Sequence, residues 1–292
     1  MSNLYKCLII VSVSFVLLGC DNEEKSDRSN LNLTKKVKSV SEYSYEAIKK
    51  FGKIEKGERK RRSPLDYDIH YLFNETGNLI EENWFPEIAA GSKIIYHYNN
   101  KGVLFEKNRY STPSGSLFIK YTYDHNDEGH LIEENTYYSD DLFEKRMFEY
   151  DRKGNVVEEN KFSYREWGSD SIKYVYKYDK NGTKVEMIIY SSDGDLVRKN
   201  ISLHDKNGNE IEMKEYGPDD GLLSHVTYKY DDKANMIERN CLKSLSRGLS
   251  HFNCKTYSFV YEYNDVGDWV MKIEFINGIA EYLIEREIDY FE

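Results

Sequence analysis

The chain has 292 residues and a formal net charge of −10 at neutral pH, from 51 acidic and 41 basic side chains. That excess of negative charge opposes binding to nucleic acid by a general electrostatic mechanism, so no nucleic-acid partner is expected. Hydrophobic residues make up 39% and tyrosine alone accounts for 26 positions, a composition suited to half-buried strands.

Residues 1–19 read as a lipoprotein signal peptide. Lys6 gives a positive start, and the apolar run from Cys7 to Leu18 is short for a membrane span. The run closes on Leu17-Leu18-Gly19-Cys20, which resembles the lipobox of bacterial lipoproteins, with Leu18 a less usual residue at its position. The resemblance implies that Cys20 is lipidated and becomes the first mature residue; about two acyl chains suffice for stable anchoring. An uncleaved anchor or an ordinary signal peptide are the alternatives. Residues 20–34 are polar and read as a flexible tether. Asp21-Asn22-Glu23-Glu24 looks like the acidic export signals of surface lipoproteins in Bacteroidetes, whereas Asp21 alone is similar to the inner-membrane retention signal of enteric bacteria. The expected address is the bacterial cell envelope, at the outer membrane, with the face left open.

Residues 35–66 read as an N-terminal cap, because a repeat array needs atypical ends. Val37 to Tyr45 alternates like a strand. Lys56, Arg59, Lys60, Arg61 and Arg62 form a basic run. It is either a contact for phosphate or acidic polymer or a solvated loop, and the acidic whole favours the loop.

A repeat occupies 67–292. Its turn glycines are Gly77, Gly102, Gly129, Gly154, Gly182, Gly208 and Gly267, with Ala234 in the remaining slot, at spacings of 25, 27, 25, 28, 26, 26 and 33. Before each stand alternating aromatics, as in Tyr174, Tyr176 and Tyr178; after each comes a second alternating run. Asp/Asn-x-x-Gly between them is a three-residue hairpin loop, with the glycine left-handed. Eight units of two strands give an all-β antiparallel meander of about sixteen strands, curled or spiralling as its twist accumulates, with a C-terminal cap from Ile273 to Glu292. The loop pairs Asp179 with Thr183, so the expected register sets Tyr176 opposite Glu186.

Four residues after each turn glycine stands a glutamate: Glu81, Glu106, Glu133, Glu158, Glu186, Glu212 and Glu238, with Met271 in the eighth slot. Asn83, Asn108, Asn135, Asn160 and Asn240 follow two residues on. In the expected register these columns share the tyrosine face, and tyrosine hydroxyls and asparagine amides bond the carboxylates. A glycan hydrolase would need two carboxylates about 5–10 Å apart with unlike surroundings. Equivalent copies argue for structure instead, and no catalytic residue is expected. Cys241 and Cys254 flank the longest spacing. A disulfide suits an exported chain, against a metal pair or two free thiols. Asp205 to Asn209 lacks the calcium-loop order, the histidines lack ligand spacing, and neither metal nor cofactor is expected.

Tyr121-Thr122-Tyr123-Asp124, Tyr150-Asp151-Arg152-Lys153-Gly154-Asn155, Tyr176 to Gly182, Tyr228 to Asp231 and Tyr261 to Asn264 carry a Tyr-x-Tyr-Asp-x-x-Gly pattern. Over residues 67–275 the chain resembles the Rhs-type YD-repeat family, and looks like its small lipoproteins in Bacteroidetes. The resemblance implies a β-repeat fold and surface display, and does not itself point to an activity. The expected function is a non-enzymatic, membrane-anchored lipoprotein that binds glycan or protein partners. A hydrolase using column glutamates and an immunity-type lipoprotein that neutralises a toxin are the alternatives.

Overall fold

Each Asp/Asn-x-x-Gly string closes a hairpin because its side chain and its glycine answer the backbone's needs. At one such turn the Gly182 amide donates to the Asp179 carbonyl and the Asp179 amide to the Thr183 carbonyl. The Asp179 carboxylate accepts from the amides of Asn181 and Thr183. Ala234, in the slot without glycine, still takes φ 62°, held by the Asp231 carboxylate on the amides of Lys233 and Asn235.

The computed structural model describes residues 27–34, 36–60, 68–85, 91–112, 114–165, 168–244 and 254–292. The signal peptide, Cys20, Arg61 and Arg62 lie outside the described residues. A helical turn α1 (Asp27–Asn30) precedes the strands β1 (Val37–Lys50) and β2 (Lys53–Arg59). The eight units follow as hairpins: β3 (Asp68–Phe73) with β4 (Leu79–Phe85), β5 (Ser92–Tyr98) with β6 (Leu104–Ser111), β7 (Leu117–His125) with β8 (Leu131–Tyr138), and β9 (Asp141–Tyr150) with β10 (Val156–Arg165). Then come β11 (Gly168–Tyr178) with β12 (Lys184–Tyr190), β13 (Leu196–His204) with β14 (Glu210–Tyr216), β15 (Leu222–Tyr230) with β16 (Met236–Ser244), and β17 (Thr256–Tyr263) with β18 (Trp269–Ile276). The last strand is β19 (Ile279–Tyr290).

Beyond each of these turns the second strand holds one residue more than the first. Tyr178 faces Lys184 but Lys177 faces Glu186, which leaves Val185 as a β-bulge. Ile80, Phe105, Ile132 and Val157 are the extra residues of the first four units. Ile211, Ile237 and Val270 are those of the last three. The expected register is therefore corrected: Tyr176 faces Met187, not Glu186. The loop has the expected length, but the bulge past it slips the pairing by one residue and sends the glutamates to the face opposite the tyrosines.

The tyrosine before the turn, or in the last unit the tyrosine two residues earlier, secures the bulge of the preceding unit. Tyr98, Tyr150, Tyr178 and Tyr261 donate their hydroxyls to the carbonyls of Leu79, Leu131, Val156 and Met236, each the residue just before a bulge. Burial pushes the Tyr150 and Tyr178 phenols up to about 12.

The sheet does not stay open. The repeat supplies sixteen strands, β3 to β18, but the segments read as caps supply the closure. β1 pairs with β19 from Val37 to Glu46 along one edge and with β3 over Ser39 to Glu42 along the other. The result is a closed antiparallel barrel of eighteen strands, with β2 as a nineteenth that pairs on β1 alone. An even number of strands lets an antiparallel ring close, and closure removes the unpaired edges an open curl would leave. At 14 and 12 residues, β1 and β19 are the longest strands of the ring.

Asp27 to Thr34, the second half of the segment read as a tether, lies on the glycine-turn rim as a strap across this seam. The Asp27 carboxylate accepts from the Leu79 amide at 2.7 Å and the Tyr98 hydroxyl at 3.2 Å. The buried Arg28 guanidinium donates to the Asn74 carbonyl and lies over the Phe73 and Phe291 rings. On the other side of the seam Asn32 donates to Asn235 at 3.0 Å, and the Thr34 amide and hydroxyl donate to Asp268 at 2.7 and 2.9 Å. Leu33 completes a buried cluster with Val37, Val40, Phe73 and Leu79.

Cys241 and Cys254 are disulfide-bonded, with Cα atoms 5.0 Å apart. The bond joins β16 to the approach to β17, where the ring's ladder is shortest, with only Glu238 to Asn240 paired to Ser258 to Thr256. Reduction is expected to cost on the order of 2–3 kcal/mol. Amides of β16 and β17 should exchange first, as hydrogen exchange with and without reductant would show. Tyr178→Phe, which strips the hydroxyl from the Val156 carbonyl, should cost about 1 kcal/mol in urea unfolding. Tyr164→Phe, at the other rim, should cost less.

Candidate functional site

The bulges sort the chemistry of the barrel into two walls. Outward face the glutamate and asparagine columns. Asn83, Asn108, Asn135 and Asn160 each donate from Nδ2 to the glutamate two residues before, at 2.6–2.8 Å. Asn240 does the same for Glu238. A lysine of the next strand takes the second carboxylate oxygen: Lys93 on Glu81 at 2.5 Å, Lys120 on Glu106 at 3.1 Å, Lys145 on Glu133 at 2.6 Å and Lys173 on Glu158 at 2.5 Å. Later units use Lys177 on Glu186, Lys214 and His225 on Glu212, and Lys229 on Glu238. The expected asparagine bonds are present, but lysine stands where tyrosine was expected, because the tyrosines lie on the other face.

These partners hold the carboxyls of Glu81, Glu106, Glu133, Glu158, Glu212 and Glu238 below their usual range. At Glu133 the Lys145 and Asn135 hydrogen bonds dominate, and at Glu158 Lys173 leads. At Glu81 burial opposes the charge, yet Lys93 and Asn83 prevail. Glu186 and Glu212 differ from the other five, the first having Lys177 and no asparagine and the second bonding Lys214 and His225. A lysine facing lipid at the bilayer midplane costs about 2–4 kcal/mol, so the outward Lys93, Lys120, Lys145 and Lys173 suit a wall in contact with water better than one in contact with lipid.

The inner wall is different. Tyr96 donates to Glu82 and Tyr176 to Glu159. Lys107 lies 4.2 Å from the Tyr121 ring centroid, and Glu134 stands between Tyr123 and Arg146 in the ladder. Arg146 bonds Glu144 at 2.8 Å, and Lys161 meets the same carboxylate at 2.7 Å. Burial pushes the Glu134 carboxyl up and the Lys107 ammonium down. Burial also opposes the Arg146 charge, but Glu134, Glu144 and Glu159 outweigh it. Most of these groups keep partial access to solvent, so the lumen is a polar cavity and not a dry core.

At the rim away from the glycine turns, β4 to β9 gather aromatic rings around one cation. Arg109 lies 4.9 Å from the Trp84 ring centroid and 5.3 Å from that of Phe118. Its Nε donates to Ser92 Oγ at 3.2 Å. Phe118 contacts Tyr138 at 6.3 Å between centroids, and Tyr138 contacts Phe143 at 6.0 Å. Tyr138 is 48% and Phe143 39% exposed. Cation and aromatic faces meeting at an opening can stack on and hydrogen-bond a ligand. The sequence columns did not point to it, since these residues break the repeat instead of following it.

The basic run divides. Lys56 pairs with Glu285 at 2.6 Å, Arg59 with Asp68 at 3.0 Å and Lys60 with Glu281 at 3.3 Å. Arg59 also covers the rings of Tyr43 and Tyr45. The three cations thus dock β2 to the barrel. Among the described residues no group of three or more His, Cys, Asp or Glu is placed to hold a metal ion. His225 joins Glu212, His70 bonds Ser41, and His130 stacks on Tyr150.

No protein-family model matches the chain, and no curated protein matches it. Among solved structures it is similar to a porin-like protein from Bacteroides uniformis, with a TM-score of 0.45 and 9% identity over 87% of this chain and 96% of that one. It is also similar to TcdB2-TccC3, with a TM-score of 0.26 and 12% identity over 78% of this chain. A third is the Tc holotoxin pore of Photorhabdus luminescens, with a TM-score of 0.19 and 10% identity over 74% of this chain. The chain spans 16% and 19% of the length of those two toxin chains.

The two kinds of carboxylate give opposite pH behaviour. Glu158 is held low, so its share of stability is in place at neutral pH and is lost as pH falls through the carboxylate range. Glu158→Gln should therefore destabilise at pH 7 by about 0.2–1 kcal/mol and hardly at all below about pH 3. Glu134 is pushed up, so its charge opposes folding at neutral pH. Glu134→Gln should raise the melting temperature at pH 7, with the gain vanishing in acid. Thermal unfolding from pH 3 to 8 checks both signs.

Proposed function

We propose that this is a non-enzymatic envelope lipoprotein, anchored through Cys20, whose barrel binds a glycan at the mouth formed by Trp84, Arg109, Phe118, Tyr138 and Phe143. The observation that carries the reading is the Arg109 guanidinium set between two aromatic faces beside exposed Tyr138 and Phe143. Sugar rings present apolar C–H faces that stack on aromatic side chains, and their hydroxyl or carboxylate groups suit a fixed guanidinium fork. The lumen behind the mouth continues the polar theme with Tyr96, Lys107 and Glu82. The pairing of each outer glutamate with a lysine favours binding over hydrolysis.

The test is binding of the full chain, in detergent, to envelope polysaccharides and a glycan array. Arg109→Ala and Tyr138→Ala should each weaken the bound glycan by about tenfold or more. Their melting temperatures should stay near the parent's. Glu158→Gln should bind as the parent does. No reducing sugar should be released from any ligand. A parent chain that binds no glycan but retains an envelope protein through the same two residues would replace the glycan with a protein partner.

A further inference from the structure

The docked strap bears on how the barrel stands on its membrane. Asp27 is fixed on the glycine-turn rim by the Leu79 amide and the Tyr98 hydroxyl, and the chain stays bound through Thr34. Only residues 21–26 separate Asp27 from Cys20. Seven Cα–Cα steps span at most about 25 Å. A lipid on Cys20 therefore cannot be further than that from this rim, whatever path the connection takes.

The opposite rim lies a strand length away. β12 has 7 residues, so the two rims lie about 20 Å apart along the strand, and a flexible connection of seven steps, averaging about 15 Å, keeps the lipid nearer the glycine-turn rim. The Trp84–Phe143 mouth is on that second rim, and so is the tip of the β1–β2 hairpin, where Phe51 is fully exposed between Lys50 and Gly52.

Charge on the glycine-turn rim gives a second, independent indication. The exposed tips of the β9–β10, β11–β12 and β13–β14 turns carry Arg152, Lys153, Lys180 and Lys206. The aspartates beside them, Asp151, Asp179 and Asp205, bend inward onto turn amides. Elsewhere the rim is mixed: Glu75, Asp127, Glu128, Asp232 and Asp265 stand on the β3–β4, β7–β8, β15–β16 and β17–β18 turns, with Lys101 on the β5–β6 turn and Lys233 beside Asp232. A contiguous basic arc on a chain of net charge −10 is the part of the rim that an anionic bilayer would attract.

We infer that the glycine-turn rim is a membrane-facing surface: the strap holds it against the bilayer, the basic arc meets anionic headgroups, and the aromatic mouth is presented outward. This rests on the lipidated-Cys20 reading and deepens it from an anchor to an orientation. The mouth is then kept clear of the anchoring membrane, and its ligand arrives from the side away from it.

The experiment uses the full chain purified from envelope and returned to vesicles containing anionic lipid and a short-range acceptor dye in the headgroup layer. Acylation blocks Cys20 and the disulfide blocks Cys241 and Cys254, so a donor dye can be placed on a single added thiol. Asn181→Cys reports the glycine-turn rim and Asp193→Cys the opposite rim. Energy transfer from position 181 should exceed that from 193 several-fold. Inserting a flexible Gly-Ser stretch after Asp21 should lower it, and so should replacing anionic lipid with neutral lipid. Equal or reversed transfer on vesicle-bound protein overturns the orientation while leaving the anchor intact. A chain whose mass shows a free Cys20 and which does not float with vesicles overturns the anchor and the orientation together.

Discussion

One surplus residue after each glycine turn decides which groups meet water. Without Ile80, Val157 or Val185 in its bulge, each hairpin would pair straight from its loop. The column glutamates would then turn to the tyrosine-lined lumen, and their sequence neighbours Glu82, Glu134 and Glu159 would turn outward. The bulge moves the column outward, where asparagine on the same strand and lysine on the next are in reach. Bulges also increase local strand twist. Eight of them along one rim bend the sheet in one sense, which is the geometry a ring requires.

Closure here is assigned to sequence that the repeat does not contain. β1 and β19 are longer than the unit strands, and β1 meets β3 along only four residue pairs, so that junction needs support. The strap supplies it, reaching Leu79 and Asn74 on one side of the seam and Asn235 and Asp268 on the other. Arg286, bonded to Glu42 across β1–β19 and placed over Trp269, locks the seam from within. The weak junction at β16–β17 has its own device in the disulfide.

What could be read from sequence was what is local. A turn announces itself in four residues, so the eight hairpins and the asparagine two positions from five of the seven glutamates were legible. The register was not. Ile132 or Val185 looks like any strand residue, and nothing at the position itself declares that it has no partner across the ladder. Closure was not legible either, because Ser39 and Asp289 meet at a separation of 250 residues with no local sign of it. The lysine partners of the glutamates follow from the register and were lost with it. Trp84, Phe118, Tyr138 and Phe143 escaped notice for another reason. A search for columns rewards sameness, and these rings occupy strand ends where the units differ.

That contrast locates function within the barrel. Positions shared by all units serve the fold, and a function that needs one ligand in one place must use positions where the units depart from each other. On the inner wall, six units put Leu79, Leu104, Leu131, Val156, Met236 or Trp269 opposite the residue before the turn, and two put Lys184 or Glu210 there. Lys107 and Glu134 are further departures, and burial disfavours the charge of each. An apolar side chain of similar volume would be at least as stable at such positions. Lys107 and Glu134 lie on β6 and β8, below the aromatic mouth, whereas Lys184 and Glu210 stand at the glycine-turn ends of β12 and β14. Charge at Lys107 and Glu134 that does not serve stability, set beneath the mouth, supports the proposal of a polar ligand there.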